Sequence, residues 1–260
     1  MILVATGDSF VWGNELKDCQ NCGPNGYSRK TYASLLAENN SMEYVCQAYP
    51  GFSNQAISRT TINSCENFKE QDIFVLVSWT FAQRFEFKFS SELNHHRGIW
   101  HSISSWHVHD QSLVTKGLNS KTIKEFAYNL FKNVSNEDYE VYTVLREILF
   151  TQYYLKSKNI PYLFTCSNNI FFQHDCIIRA MHDESIKNLW QQIDWNNWYW
   201  FPTGINFNET QSPRGFYQWA TENKYTKGPN DHPLEDAHYD AAILIMEKFN
   251  ELVKKHHKQD

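Results

Sequence analysis

The stretch Gly7-Asp8-Ser9 places a serine hydroxyl just after a short apolar run, and His232 stands in Asp231-His232-Pro233 towards the other end of the chain. A serine hydroxyl is a poor nucleophile until a base takes its proton. An imidazole, which titrates near neutrality, suits that task. Asp231 is the adjacent carboxylate, although a sequence neighbour needs an unusual turn to face the same ring. Glu235-Asp236-Ala237-His238 offers a second spacing, Glu-x-x-His, but it falls in a predicted helix, where His238 is expected to pack or cap. Two more polar stretches end apolar runs, Pro50-Gly51-Phe52-Ser53-Asn54 and Ser78-Trp79-Thr80-Phe81. Each residue also has a structural use: Ser9 and Thr80 as helix caps, Gly51 for its backbone freedom, and His232 for bonding loop carbonyls.

Such residues need a scaffold that gathers them. Residues 1–5, 42–48, 73–78 and 161–165 read as strands, and 73–78 is continuously apolar, as a central parallel strand should be. Helices are predicted over 27–38, with Ser28 as cap, and from about residue 55, capped by Ser53 or Asn54. Further helical patterns cover 122–155 (one helix, or two broken near 133–136), 184–190, 215–223 and 235–254. Strands that alternate with helices argue for one α/β domain over 1–260, a doubly wound parallel sheet with helices on both faces. Ligands bind such sheets beyond the carboxyl ends of the strands, where Ser9, Gly51 and Thr80 all fall. Residues 81–120 and 168–215 break the rhythm and read as aromatic-rich insertions, the first partly helical.

In this order the four polar stretches resemble the blocks of the SGNH hydrolase family, the GDSL-type esterases, over most of the chain from Gly7 to the last helix. The resemblance implies a flavodoxin-like three-layer α/β/α sandwich and acyl-ester hydrolysis. Ser9 would be the nucleophile and His232 the base. Asp231 would be the acid that orients the ring, unless a carbonyl does so and leaves a Ser–His dyad. The N–H groups of Ser9 and Gly51 and the hydroxyl of Thr80 would form the oxyanion hole, with Thr80 standing where the family has asparagine. Three residues before His232, where the family has aspartate, stands Pro229. Asn54, Trp79 and Arg84 are candidate substrate contacts. The implied substrate is a short acyl ester, such as an acetyl ester, on a carbohydrate or other small molecule. The altered blocks leave open a catalytically degenerate module that binds such a ligand on the same fold. Acyl transfer to an acceptor other than water would share all these features.

Composition narrows the partners. A net charge of −5 gives no reason to expect nucleic acid, and no apolar run approaches membrane-spanning length. With no N-terminal targeting pattern, a soluble cytoplasmic protein is expected. No cofactor or metal is expected. Cys19 and Cys22 could form a local clip but lack a second close-spaced pair of ligands, and the histidines at 95, 96, 101, 107 and 109 complete no recognised metal spacing. Arg84 and Glu86 fall on one face of an alternating segment and are expected to pair with each other. Trp100, Trp106, Trp190, Trp195, Trp198 and Trp200 suit either a core or a groove that binds sugar rings.

Overall fold

The computed structural model describes residues 1–19, 26–89, 100–108, 120–169, 181–202 and 213–257. Four strands form one parallel sheet: β1 (Ile2–Thr6), β2 (Glu43–Cys46), β3 (Ile73–Trp79) and β6 (Tyr162–Cys166), in the order β2-β1-β3-β6. Every residue of β1, β3 and β6 is buried, as strands covered on both faces must be.

Alternation along β1 and β3 divides the core. Val4, Val75 and Val77 face one layer, packed on α3 (Asn54–Asn67) and α5 (Glu137–Ser157). Leu3, Ala5, Phe74 and Leu76 face the other, packed on α2 (Tyr32–Asn39) and α8 (Glu235–His256). The result is a three-layer α/β/α sandwich.

Local chemistry moves several element bounds. A four-residue helix, α1 (Ser9–Trp12), follows β1, and Asp8 rather than Ser9 caps it, its Oδ1 accepting from Phe10 N–H at 3.1 Å. Helix α2 begins at Tyr32, not at 27, because the Ser28 hydroxyl is held by the Asp18 carboxylate at 2.5 Å while Thr31 caps at Ser34 N–H. Ser53 caps α3 at Ala56 N–H. The 122–155 pattern resolves into α4 (Ser120–Asn133) and α5, with Asn136 capping the second at Tyr139 N–H.

The described part of the first insertion is mainly a hairpin, and residues 90–99 and 109–119, on which the expectation of partial helix also falls, lie outside the described residues. Arg84–Lys88 (β4) and Trp100–Ser104 (β5) form an antiparallel hairpin, followed by a short 3-10 turn, Ser105–Val108. The period-two alternation of Arg84-Phe85-Glu86-Phe87-Lys88 fits a strand, and Phe85 and Ile103 join Ile123, Ala127 and Leu130 of α4 in a small separate core. In the second irregular region α6 (Glu184–Trp190) and a 3-10 turn (Trp195–Asn197) precede α7 (Phe216–Glu222).

Cys46, Cys65 and Cys166 are buried thiols; Cys22, Cys176, His95, His96 and His109 lie outside the described residues. Among the described residues no group of three or more His, Cys, Asp or Glu is placed to hold a metal ion, and no helix is long and apolar enough to cross a membrane.

Candidate active site

Ser9 stands at the first position of α1, immediately beyond the carboxyl end of β1. Asp8, fully buried, anchors this corner. Besides Phe10 N–H it accepts from the hydroxyls of Ser167 at 3.0 Å and Thr80 at 2.5 Å, and from Arg84 Nη1 at 3.3 Å. A buried carboxylate is tolerated only when its lone pairs are filled in this way. The loops after β1, β3 and β6 are thereby tied together under the serine.

His232 comes from the loop before α8. Residues 227 and 233 form an antiparallel bridge, and Gly228 N–H donates to His232 O at 2.8 Å, so the turn presents the ring inward. The imidazole packs against Phe10, with ring centroids 5.1 Å apart, and its Nε2 lies 2.8 Å from Ser9 Oγ.

The other ring nitrogen does not meet Asp231. Nδ1 lies 2.7 Å from Oε2 of Glu15, a residue that the sequence reading did not single out. An ionised carboxylate can only accept, so Nδ1 carries the proton and Nε2 is left to accept from the serine hydroxyl. Glu15 also receives Asn230 N–H at 2.8 Å, Asn230 Nδ2 at 3.0 Å and His232 N–H at 3.3 Å. Burial alone would raise its pKa; the hydrogen bonds from Asn230 and His232 outweigh that and hold it below the ordinary value of 4.5.

Asp231 is directed elsewhere. It sits at a left-handed φ of 67°, and its carboxylate accepts from the Tyr217 hydroxyl and from Lys227 Nζ at 3.0 Å. The expected acid is therefore replaced at the ring by a carboxylate from the turn after α1. Its only sequence signal was a glutamate just behind the Gly13-Asn14 turn, a few residues beyond the serine.

The serine opens into a cleft of about 440 Å³ lined by Ser9, Phe10, Gly51, Arg84, Tyr217 and His232, with Asn14, Pro50, Phe81, Asn168, Asn230 and Asp231 completing the wall. Gly51 has φ +82°, a conformation that favours glycine, and a Cβ there would meet nothing within 4 Å. Among the described residues the N–H groups of Ser9 and Gly51 have no protein acceptor.

The remaining predicted contacts are used otherwise. Thr80 is fully buried, outside the cleft, and its single hydroxyl proton goes to Asp8. Asn54 is also buried: its Oδ1 accepts from Thr80 N–H at 2.9 Å, and its Nδ2 donates to the carbonyls of Thr80 and Phe81. It splints the backbone after β3 and is not among the residues that line the cleft.

Trp79 is a fully buried core residue packed on Phe164. Arg84 does line the cleft, but it pairs with Asp8, while Glu86 takes a two-pronged bond from Arg59 at 2.7 and 2.8 Å. The expected Arg84–Glu86 pair does not form. Trp190, Trp195, Trp198 and Trp200 stack on one another beside Phe164 and the core, away from the cleft wall.

No protein-family model matches the chain, and no curated protein matches it. Solved structures are similar in chain course. A psychrotrophic esterase EstA from Pseudoalteromonas sp. is 12% identical with a TM-score of 0.44, over 98% of this chain and 97% of that one. A carbohydrate esterase family 2 enzyme with a carbohydrate binding domain, from Corynascus thermopiles (Myceliophthora fergusii), is 10% identical with a TM-score of 0.48, over 97% and 66%. The acetyl xylan esterase Est2A from the rumen bacterium Butyrivibrio proteoclasticus is 13% identical with a TM-score of 0.43, over 97% and 64%. The chain thus spans about two thirds of the length of the last two.

Proposed function

We propose that this protein is a serine hydrolase that cleaves a short acyl ester. In this reading Ser9 Oγ attacks the ester carbonyl and its proton passes to His232 Nε2. Glu15 orients the ring and stabilises the imidazolium, the role that the resemblance assigned to Asp231. The oxyanion forms beside the N–H groups of Ser9 and Gly51. The intermediate collapses as the C–O bond to the alcohol breaks and His232 returns the proton to the leaving oxygen. Water, deprotonated by the same ring, then releases the acyl group from Ser9.

The observation that carries the reading is the continuous chain from Ser9 Oγ through His232 to Glu15, with contacts of 2.8 and 2.7 Å. The cleft suggests the substrate class. Phe10, Pro50 and Phe81 offer apolar surface for a small acyl group such as acetyl, and Asn14 offers an amide for a hydroxylated alcohol such as a carbohydrate.

Fluorophosphonate labelling followed by peptide mapping is the test. Ser9 is expected to carry the label, and Ser9→Ala and His232→Ala are expected to abolish both labelling and hydrolysis of p-nitrophenyl acetate. An inert serine in a folded protein would sink the nucleophile and leave a ligand-binding cleft in its place.

A further inference from the structure

We infer that the β4–β5 hairpin is the device that holds the Gly51 N–H in its oxyanion-binding orientation, with Arg84 and Ser102 as positioning residues. The inference rests on the reading of Ser9 as nucleophile and Gly51 as a donor. It starts from the turn that carries Gly51. Phe52 N–H donates to Tyr49 O at 3.2 Å, so residues 49–52 close a β-turn, and the φ of +82° at Gly51, its third position, is that of type II. Types I and II differ by a flip of the central peptide, here the one between Pro50 and Gly51. That peptide carries the Gly51 N–H, so a flip would put the Pro50 carbonyl where the donor has to be. Proline at the second position suits both types, and glycine accepts either φ at the third. With open space around its α-carbon, Gly51 does not itself oppose the flip.

The restraint lies one peptide further on. The Phe52 carbonyl accepts from Arg84 Nη1 at 3.1 Å, and the Ser53 N–H donates to Ser102 Oγ at 3.0 Å. Both groups belong to the same peptide, which is trans, so they leave it on opposite edges. Arg84 stands on β4 and Ser102 on β5. The hairpin therefore grips that peptide from both sides, one strand to each edge.

The grip is itself anchored. Glu86, which faces Ser102 in the hairpin register, takes the two-pronged bond from Arg59 of α3. Arg84 Nη1 also donates to Asp8 Oδ2 at 3.3 Å and to Thr80 Oγ1 at 3.0 Å, and Asp8 immediately precedes Ser9. One nitrogen thus ties the turn of Gly51 to the residue before the nucleophile, and the two oxyanion amides share a support. Arg84 acts here through the bonds it already makes and touches no substrate atom.

Ser102→Ala removes one edge of the grip without stranding a buried charge, and Ser102→Thr keeps the hydroxyl at a strand position that suits a β-branched residue. Hydrogen exchange by mass spectrometry over residues 49–56 reads the turn. Kinetics on p-nitrophenyl acetate, with a boronic acid as mimic of the tetrahedral anion on Ser9, read the oxyanion site. In Ser102→Ala the segment is expected to exchange faster by more than the one amide that loses its acceptor. Its kcat and boronate affinity should fall together by about three- to tenfold, the scale of one hydrogen bond, with KM and the pH profile unchanged. Ser102→Thr should behave as the parent does. Unchanged exchange in Ser102→Ala, unchanged kcat and boronate affinity, or an equal loss in Ser102→Thr would each overturn the inference.

Arg84→Lys disturbs the other edge while keeping a cation against Asp8. In the folded variant kcat and boronate affinity are expected to fall by roughly 10²-fold, the cost of a misplacement of about 1 Å, and parental values of both would overturn the role of Arg84. If that variant does not fold, the Ser102 pair decides. The underlying reading fails separately: if Ser9→Ala hydrolyses the ester as the parent does, the nucleophile is wrong, while exchange still reports whether the hairpin holds the turn.

Discussion

Glu15 and Asp231 are both carboxylates close to His232, and only their contacts tell them apart. Glu15 Oε2 meets the ring nitrogen, whereas Asp231 is spent on Tyr217 and Lys227 and is 61% exposed. Removing Glu15 leaves the imidazole without its orienting partner and without compensation for the charge it acquires. Glu15→Ala is expected to lower kcat by roughly 10⁴-fold, the scale seen when a triad acid is replaced. Asp231→Ala deletes an exposed ion pair worth about 0–1 kcal/mol, so its kcat should stay within about fivefold of the parent. Steady-state ester hydrolysis by the two variants decides the matter; equal losses would show that the acid has been misassigned.

The elements matter through the turn that carries His232 and the turn that carries Glu15. Glu15 itself has a φ of 69°, and the two turns meet at Gly228. A Cβ on Gly228 would lie 2.6 Å from Glu15 Cδ and 2.7–2.8 Å from its carboxylate oxygens. The carboxylate is the free end of a flexible side chain, so it can swing aside where a backbone could not. Gly228→Ala is therefore expected to cost little in melting temperature and much in activity, because Glu15 relieves the clash by leaving His232. Calorimetry beside kinetics separates the two; a large drop in Tm with kcat unchanged would contradict it. The same logic explains the resting place of Thr80. Its backbone is splinted by Asn54 and its hydroxyl is drawn down to Asp8, so the loop after β3 is built for rigidity and a neighbouring strand supplies Arg84 to the cleft.

For the molecule as a whole, a buried histidine sets a pH dependence of stability. His238 on α8 is 1% exposed, stacks on Tyr32, contacts Phe216 and accepts from Tyr32 N–H through Nδ1. Burial, and secondarily the charge of His232, pushes its pKa down from 6.5 to about 3. Between those values the unfolded chain binds a proton that the folded chain does not. Stability therefore falls as pH drops below 6.5, with a slope of about 1.4 kcal/mol per pH unit from this residue. His238→Gln keeps an acceptor for Tyr32 N–H without the titration. Urea unfolding from pH 7 to pH 4 is expected to show a shallower slope in the variant, and parallel slopes would refute the assignment.

The order of the four sheet strands and of the longer helices between them was legible in the chain, because continuous apolar runs such as Ile73–Trp79 and the spacing of polar breaks are local properties; the β4–β5 hairpin and α1 were not. So was the presence of a hydroxyl at the end of β1 and an imidazole before the last helix. The partners of polar side chains were not legible. Asp231 adjoins His232 in sequence, yet its left-handed backbone turns it away, while Glu15 reaches the same ring across 217 positions. Arg84 and Glu86 share a strand face but find Asp8 and Arg59, because each buried charge must take the nearest available counter-charge in three dimensions. The tryptophans clustered in sequence, and only packing decided that Trp195, Trp198 and Trp200 would lie against one another. Backbone pattern is set by neighbours along the chain; the direction of a hydrogen bond is set by whatever the folded chain brings opposite.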